Sequence, residues 1–161
     1  ADDDTSNFLE LISVETATQY TNGSGSTEVA SSVGLGHLTQ GLTLNAQNYV
    51  AGAITGGSFM INGVSITIDP TTDTLSDIIE RINASDAGVS ASYDTTTDGI
   101  RVVSENLGSR TISFASGTSN FLDVMNLTSA TQVAGSDSQF TVDGGPAQTR
   151  NSNDVSDVIG V

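Results

Sequence analysis

The twelve residues from Asp94 to Glu105 come nearest to a chemical site. Oxygen-bearing side chains stand at positions one, three, five and twelve, and a glycine at six, close to the calcium loop of an EF-hand. Strand-like residues flank it, however, and Arg101 would bring a positive charge near an ion. The alternative is a hairpin loop closed by Asp94 and Gly99, whose residue types suit a tight turn. We favour the hairpin loop and predict no cofactor; the sequence alone does not decide whether this stretch binds calcium.

His37 is the only histidine of the chain. A catalytic triad or a histidine metal site needs the ring beside an acid, a nucleophile or further ligands. The surrounding stretch Gly34–Leu38 offers none of these, so we interpret His37 as a structural residue. The chain has no cysteine, which excludes a thiol nucleophile, a thiolate metal site and a disulfide framework.

The closely spaced acids have structural explanations. Asp69 and Asp73 flank a turn, and Asp154 and Asp157 stand where a helix would begin. Glycosidase chemistry needs two carboxyl groups at a fixed separation, which nothing here provides. We interpret the acidic run at residues 2–4 as a solvated charged tail. We therefore predict no catalytic, cofactor-binding or metal-binding residue, and we predict that the chain is not an enzyme.

The net charge of −15 limits the partners that the chain can bind. Nineteen acids stand against four arginines, and lysine is absent. Nucleic acids and anionic membranes are bound through cation-rich patches, so we predict neither as a partner. No apolar run reaches the roughly 20 residues of a membrane-spanning helix. The length of 161 residues is enough to bury a core without disulfides.

Two β-hairpins are predicted from the alternation of apolar and polar residues. The first covers residues 58–69, with Asn62-Gly63 as a type I′ turn because both residues tolerate positive φ. The second turns between Asp94 and Gly99. Its inward side chains are expected to be Val89, Ala91, Tyr93, Ile100 and Val102. A further strand is expected near residues 111–114.

Two helices accompany these strands. Thr74 is predicted to cap the first, with Asp77 completing a capping box. That helix is expected to end near Ala84 and to bury a stripe against the first hairpin, formed by Leu75, Ile78, Ile79 and Ile82. Ser119 is expected to cap a short second helix over residues 120–126. The order β-β-α-β-β-β-α indicates an α+β fold that is mainly β, built from small hairpin-and-helix modules.

Two internal repeats organise the chain. Residues 118–132 repeat residues 5–19 without a gap, and eight of the fifteen positions are identical. Residues 140–144 repeat residues 59–63, and a Ser-Asp-aliphatic sequence follows each copy at a similar distance. Repetition of this kind indicates modules that each form one structural unit, and it argues against a single catalytic pocket.

The repeats predict three parts of the chain. Residues 1–48 are the tail of an upstream unit, residues 49–135 a complete unit, and residues 136–161 the start of a further unit. The first and last parts are complementary pieces of one unit, so they are expected to pack together as a split domain. Since the chain begins and stops inside units, we interpret it as a fragment of a longer protein.

Residues 57–85 resemble the IN motif of flagellar proteins, named after an Ile-Asn pair that stands here as Ile61-Asn62. The usual sequel of the motif is a Gly-Val-Ser-Ala-Ser-Tyr-Asp strand, present at residues 88–94. With Thr-Ser-Asn-Phe-Leu at residues 118–122 and Gln-Phe-Thr-Val-Asp-Gly at residues 139–144, the chain resembles the flagellar filament cap proteins, the hook-associated protein 2 family.

The resemblance implies a structural and assembly role. Proteins of this family are exported without a cleaved signal and form a ring at the filament tip, outside the cell, where they promote flagellin polymerisation. The chain would supply two compact head domains, because it lacks the long helical segments that meet the filament. Its expected partners are flagellin and further copies of the same protein. Adhesion to host or surface glycans is a further role to consider.

Two alternatives stay open on the sequence. The IN motif also occurs in some flagellins, so the chain could be the variable outer domain of a flagellin or of another hook-associated protein. It could also be a glycan-binding adhesin. That function would need exposed aromatic faces, and the chain offers Tyr20, Tyr49, Tyr93 and five phenylalanines.

Overall fold

The structure is a computed structural model that describes residues 25–31, 34–141 and 145–150. The repeat copy at residues 5–19 and the acids at residues 2–4, Asp154 and Asp157 lie outside the described residues. The predicted split domain of residues 1–48 and 136–161 is covered only in part, and the three-part division therefore stays a prediction.

The described residues alternate short strands with two helices, which confirms an α+β fold that is mainly β. The elements are β1 Ser26–Ala30, β2 Gly57–Ile61, β3 Val64–Ile68, α1 Leu75–Asn83, β4 Val89–Asp94, β5 Gly99–Leu107, β6 Phe114–Ser116, α2 Phe121–Val124, β7 Ser138–Phe140 and β8 Gln148–Arg150. A single 3-10 turn at Leu44–Ala46 precedes β2. No helix in this described part is long and apolar enough to cross a membrane.

Two antiparallel three-stranded sheets build the fold, in the orders β1-β5-β4 and β3-β2-β6, and β7 pairs with β8. In the first sheet Val102 lies opposite both Val29 and Ala91, so apolar side chains share one face. In the second sheet Phe59 lies opposite Ile66. The inward side chains of both sheets belong to one hydrophobic cluster.

The predicted hairpin turn at Asn62-Gly63 is confirmed. Asn62 has φ 50° and Gly63 has φ 81°, and Ile61 lies opposite Val64 directly beside the turn. These angles are the left-handed conformations that a type I′ turn requires, which asparagine and glycine adopt most easily. On the strands, Phe59 is buried and Ser65 is exposed, as the alternation predicts.

The start of α1 is also confirmed. The Thr74 hydroxyl accepts a hydrogen bond from the Asp77 backbone N–H at 3.2 Å, and the Asp77 carboxylate accepts one from the Thr74 backbone N–H at 2.8 Å. The helix ends at Asn83 with Ala84 as C-cap, and it buries Leu75, Ile78 and Ile82.

Two boundaries differ from the sequence prediction. The strand expected near residues 111–114 is β6, which begins at Phe114. The short helix α2 is capped by Asn120 without a side-chain bond, not by Ser119. The Ser119 hydroxyl instead donates to the Thr55 carbonyl at 2.7 Å and accepts from the Phe121 N–H at 3.2 Å. Ser119 therefore ties the helix to the chain before β2, a role that local sequence does not reveal.

The core is continuous across the two sheets. Phe59 and Phe121 stack with ring centroids 5.0 Å apart and an interplanar angle of 14°. Residues that precede β2 contribute to the same cluster through Val29, Leu35, Leu38 and Leu44. Offset stacking and burial of large rings are among the stronger contributions to core stability.

Candidate functional site

The IN-motif pair Ile61-Asn62 lies where three segments meet. Ile61 is fully buried, whereas the Asn62 side chain points out of the hairpin turn towards two other segments. Its Nδ2 donates to the Ala87 carbonyl at 2.8 Å, and its Oδ1 accepts from the Ser113 N–H at 2.9 Å. The Asn62 backbone N–H adds a bond to the Ser113 carbonyl at 2.8 Å.

This arrangement, which we call the Asn62 node, gives the motif a physical role. An asparagine amide has a donor end and an acceptor end, so one side chain satisfies a carbonyl of one segment and an N–H of another. A backbone group that is shielded from water is costly to leave without a partner. The node therefore fixes the first hairpin to the loop before β4 and to the strand region before β6.

A second junction centres on Asp98, a buried residue at the tip of the second hairpin. Its carboxylate accepts hydrogen bonds from the backbone N–H groups of Gly36 at 2.6 Å, His37 at 2.7 Å and Leu38 at 3.4 Å. The Tyr93 hydroxyl also donates to it. Asp98 thereby holds the preceding loop against the hairpin.

These contacts shift the ionisation of both side chains. Burial alone would raise the pKa of Asp98, but the hydrogen bonds from His37, Tyr93, Gly36 and Leu38 together outweigh burial and lower that pKa below its ordinary value. Burial, the hydrogen bond to Asp98 and the charge of Asp98 raise the pKa of Tyr93 to about 12. At neutral pH the junction thus holds an ionised Asp98 and a neutral Tyr93.

The calcium-like spacing is resolved as a hairpin turn. Asp94 lies opposite Gly99, the Asp94 carboxylate accepts from the Thr96 N–H at 2.8 Å, and Asp98 has φ 49°. Both Asp98 carboxylate oxygens accept hydrogen bonds from residues 36–38 and Tyr93. Glu105 is exposed on β5. The loop therefore has the geometry of the hairpin alternative, and no group of three or more metal-ligating acids or histidines occurs among the described residues.

Arg101 is turned away from the loop towards β1. Its Nε and Nη2 lie 2.5 and 2.7 Å from the two carboxylate oxygens of Glu28, whose side chain is only 2% exposed. Burying a charged side chain is costly unless it is paired and hydrogen-bonded, as Glu28 is here. Glu28 also forms a β-bridge to Val133, so this pair connects β1, β5 and the segment after α2.

The other predicted candidates have local structural roles. The His37 side chain is exposed, and the residue acts through its backbone, with φ 55° beside Asp98. Asp69 accepts from the Thr71 N–H at 3.0 Å, and the side-chain hydrogen bond from Thr71 is the largest cause that lowers the pKa of Asp69. Asp73 and Arg81 form two hydrogen bonds of 2.9 and 3.0 Å, which lower the pKa of Asp73.

The exposed side chains of the β3-β2-β6 sheet are uncharged. On the β3-β2-β6 sheet the exposed residues include Met60, Ser65 and Thr67, with Met60 42% exposed. On β4 they include Ser90 and Ser92. Contact with another chain on this face of the β3-β2-β6 sheet would bury no charge of these strands.

Sequence reasoning missed the two junctions, although each carries a local signal. The local sequence predicts Asn62 only as a turn residue, because its side-chain bonds reach residues 25 and 51 positions away. The loop that binds Asp98 carries Gly-x-Gly-His, and Gly36 has φ 116° with no room for a Cβ, which would lie 2.6 Å from the Asn48 carbonyl oxygen. Closely spaced glycines of this kind indicate tight backbone packing.

The sequence and the fold are both similar to those of known flagellar proteins. Residues 58–106 match the family model of the flagellin hook IN motif, a span that holds Asn62 and Asp98. Flagellar hook-associated protein 2 of Thermotoga maritima is 35% identical over 111 residues, which are 68% of this chain and 18% of that protein. The chain therefore spans about a fifth of the length of this curated relative.

Solved structures share the fold. Two crystal structures of the D2-D3 domains of the flagellar cap protein FliD from Serratia marcescens match with TM-scores of 0.58 and 0.59, each at 23% identity. The matches cover 83% and 82% of this chain and 75% and 74% of those chains. The resemblance to the flagellar filament cap proteins that the sequence indicates is thereby confirmed: residues 58–106 carry the IN motif, and the fold is like that of the FliD D2-D3 domains.

Proposed function

We propose that the chain is part of the head region of a bacterial flagellar filament cap, a structural protein at the filament tip outside the cell. One observation carries the proposal: the IN-motif span 58–106 is folded around the Asn62 node within a fold like that of cap D2-D3 domains. The 35% identity over 111 residues to flagellar hook-associated protein 2 of Thermotoga maritima supports it.

The partners in this proposal are flagellin and further copies of the same protein. Several acidic side chains are bonded within the chain: Glu28 pairs with Arg101, Asp73 pairs with Arg81, and Asp98 accepts hydrogen bonds from backbone N–H groups. Large apolar side chains are mostly buried in one core. A domain of this kind acts through the contacts of its surface, so we propose assembly and promotion of flagellin polymerisation, and no catalysis.

A glycan-binding role receives less support from the aromatic residues. Sugar recognition uses exposed aromatic faces, but Tyr49 and Tyr93 are both half-buried against the core. The Tyr93 hydroxyl is held by Asp98. The cap function is therefore the proposal, and adhesion is left as an outcome of the tests.

The test uses the full-length parent protein in a strain that lacks its own cap. We expect the parent protein to restore filaments and to reduce the unpolymerised flagellin that leaks into the medium, measured by immunoblot and electron microscopy. A parent in which residues 25–150 are replaced by a Gly/Ser linker should leak more flagellin. Val50→Ser, at a residue 76% exposed, is the matched control and should behave as the parent does. A full-length parent that leaks as much flagellin as the cap-less strain would refute the proposal.

A further inference from the structure

Asn62 and Gly63 form a chemically reactive sequence. When glycine follows asparagine, little hinders the glycine backbone nitrogen from attacking the asparagine side-chain carbon, which is the route of spontaneous deamidation. The chain contains this dipeptide at Asn22-Gly23 and at Asn62-Gly63. At the second, both residues are exposed, and no atom lies within 4 Å of a Cβ built on Gly63. Water and base therefore have access to the site.

In the folded chain, hydrogen bonds restrain the Asn62 side chain that would have to react. Attack requires the Asn62 Cγ to turn towards its own following nitrogen. That turn would break the bond from Nδ2 to the Ala87 carbonyl at 2.8 Å and the bond from the Ser113 N–H to Oδ1 at 2.9 Å. The Asn62 backbone is also held, by its N–H bond to the Ser113 carbonyl at 2.8 Å and by φ 50°. The node therefore restrains the side chain and the backbone together.

We propose that Asn62 is a modification site controlled by folding, closed to deamidation in the native chain and open when the first hairpin is unfolded. In the open chain the Gly63 nitrogen loses its proton to base and bonds to Asn62 Cγ. The bond from Cγ to Nδ2 breaks, and ammonia leaves with the proton. Water then opens the succinimide ring to aspartate or isoaspartate at position 62. The net change is addition of one water and loss of one ammonia.

The product cannot rebuild the node. An aspartate at position 62 replaces the amide donor by a carboxylate oxygen, which would face the Ala87 carbonyl oxygen at the distance of the former hydrogen bond. An isoaspartate also lengthens the backbone by one carbon inside a two-residue turn, which alters the pairing of β2 with β3. Deamidation is therefore irreversible, and a modified residue at position 62 shows that the hairpin has been open.

The experiment compares deamidation of the intact chain in buffer and in urea, at mildly alkaline pH. Peptide mapping by mass spectrometry follows the mass increase at position 62, and the rate at Asn22 in urea shows that the conditions support the reaction. Because two hydrogen bonds must open together, we expect the native rate at Asn62 to be at least about tenfold below the rate in urea. Equal rates in the two conditions would overturn the proposal.

A second measurement tests the consequence. Chains deamidated in urea are returned to buffer, and the fractions with Asn62 intact and modified are separated and melted. We expect a lower melting midpoint for the modified fraction, and identical midpoints would overturn the claim that the product cannot rebuild the node. Gly63→Ala is the control for the mechanism, since a hindered nitrogen should slow the reaction in urea. None of these outcomes depends on the cap function.

Discussion

Replacing Asp98 by asparagine tests the junction that holds the loop before β2 against the second hairpin. The substitution keeps the shape of the side chain and removes its charge. In the structure one carboxylate oxygen accepts from Gly36 at 2.6 Å and from His37 at 2.7 Å. The other accepts from Leu38 at 3.4 Å and from the Tyr93 hydroxyl. An asparagine oxygen in place of the first carboxylate oxygen can keep the bonds from Gly36 and His37. The amide nitrogen then stands in place of the second oxygen, and the Tyr93 hydroxyl can rotate to accept from it.

The expected loss follows from the charge of these bonds. A hydrogen bond to an ionised group contributes about 1.5–3 kcal/mol, against about 1 kcal/mol for a neutral one. Two short bonds that each lose about 1 kcal/mol predict a destabilisation of about 2 kcal/mol for Asp98→Asn. For a chain of this length that corresponds to a fall in the melting midpoint of roughly 4–8 °C.

Thermal and urea unfolding, followed by far-UV circular dichroism, measure this loss. The matched control is Asp94→Asn at the other end of the same turn, because asparagine preserves the turn bond that Asp94 forms with Thr96. We expect the melting midpoint of the control to be close to that of the unsubstituted chain. If Asp98→Asn melts no lower than Asp94→Asn, the assignment of Asp98 as a junction is refuted.

The pH dependence gives an independent check on Asp98. Its pKa is lower in the folded chain than its ordinary value of 3.8, so the folded state binds fewer protons than the unfolded state near that pH. The stabilisation by Asp98 is therefore complete above about pH 4 and is lost as the pH falls through the folded pKa. The gap in stability between the parent chain and Asp98→Asn should shrink below about pH 4, and a gap that widens there would contradict the assignment.

Five further changes have definite expectations by the same unfolding assays. Gly63→Ala should cost about 1 kcal/mol, because φ 81° strains a residue with a Cβ even in open space; an unchanged midpoint would contradict the turn. Glu28→Gln should cost about 2 kcal/mol, because it breaks a mostly buried ion pair. Asp73→Asn should cost less than about 1 kcal/mol, because the arginine in its pair is 37% exposed. A larger loss for Asp73→Asn than for Glu28→Gln would refute this assignment of the two pairs. Phe121→Ala should cost about 3–5 kcal/mol by removing a fully buried stacked ring, and a loss below 1 kcal/mol would count against the core. A chain that begins at residue 49 should lose cooperative unfolding, because it lacks four core side chains; a parent-like melt would show that the predicted unit 49–135 folds alone.

Local features of the fold were predictable from the sequence. The Asn62-Gly63 turn and the Thr74 capping box depend on residues within a few positions of one another, so sequence spacing specifies them. The alternation in β2 to β5 likewise identified the buried face of each strand. The resemblance to cap proteins rested on these same stretches.

Long-range contacts were not predictable in the same way. The bond from Gly36 to Asp98 joins residues 62 positions apart, and the pair of Glu28 with Arg101 joins residues 73 apart. Within each local window Asp98 is only a turn residue and Glu28 an acid in a short polar strand. Their burial depends on which segment the fold places opposite them, and spacing along one chain does not contain that information.

The position of the full-length parent protein on the cell tests the central claim most directly. An antibody raised against this chain, with gold-labelled electron microscopy of intact cells, reports where the chain is displayed. A head region of a filament cap should label the tips of filaments and nothing else. Labelling along the whole filament would identify the variable region of a flagellin, and labelling confined to the cell body would contradict a role at the flagellum.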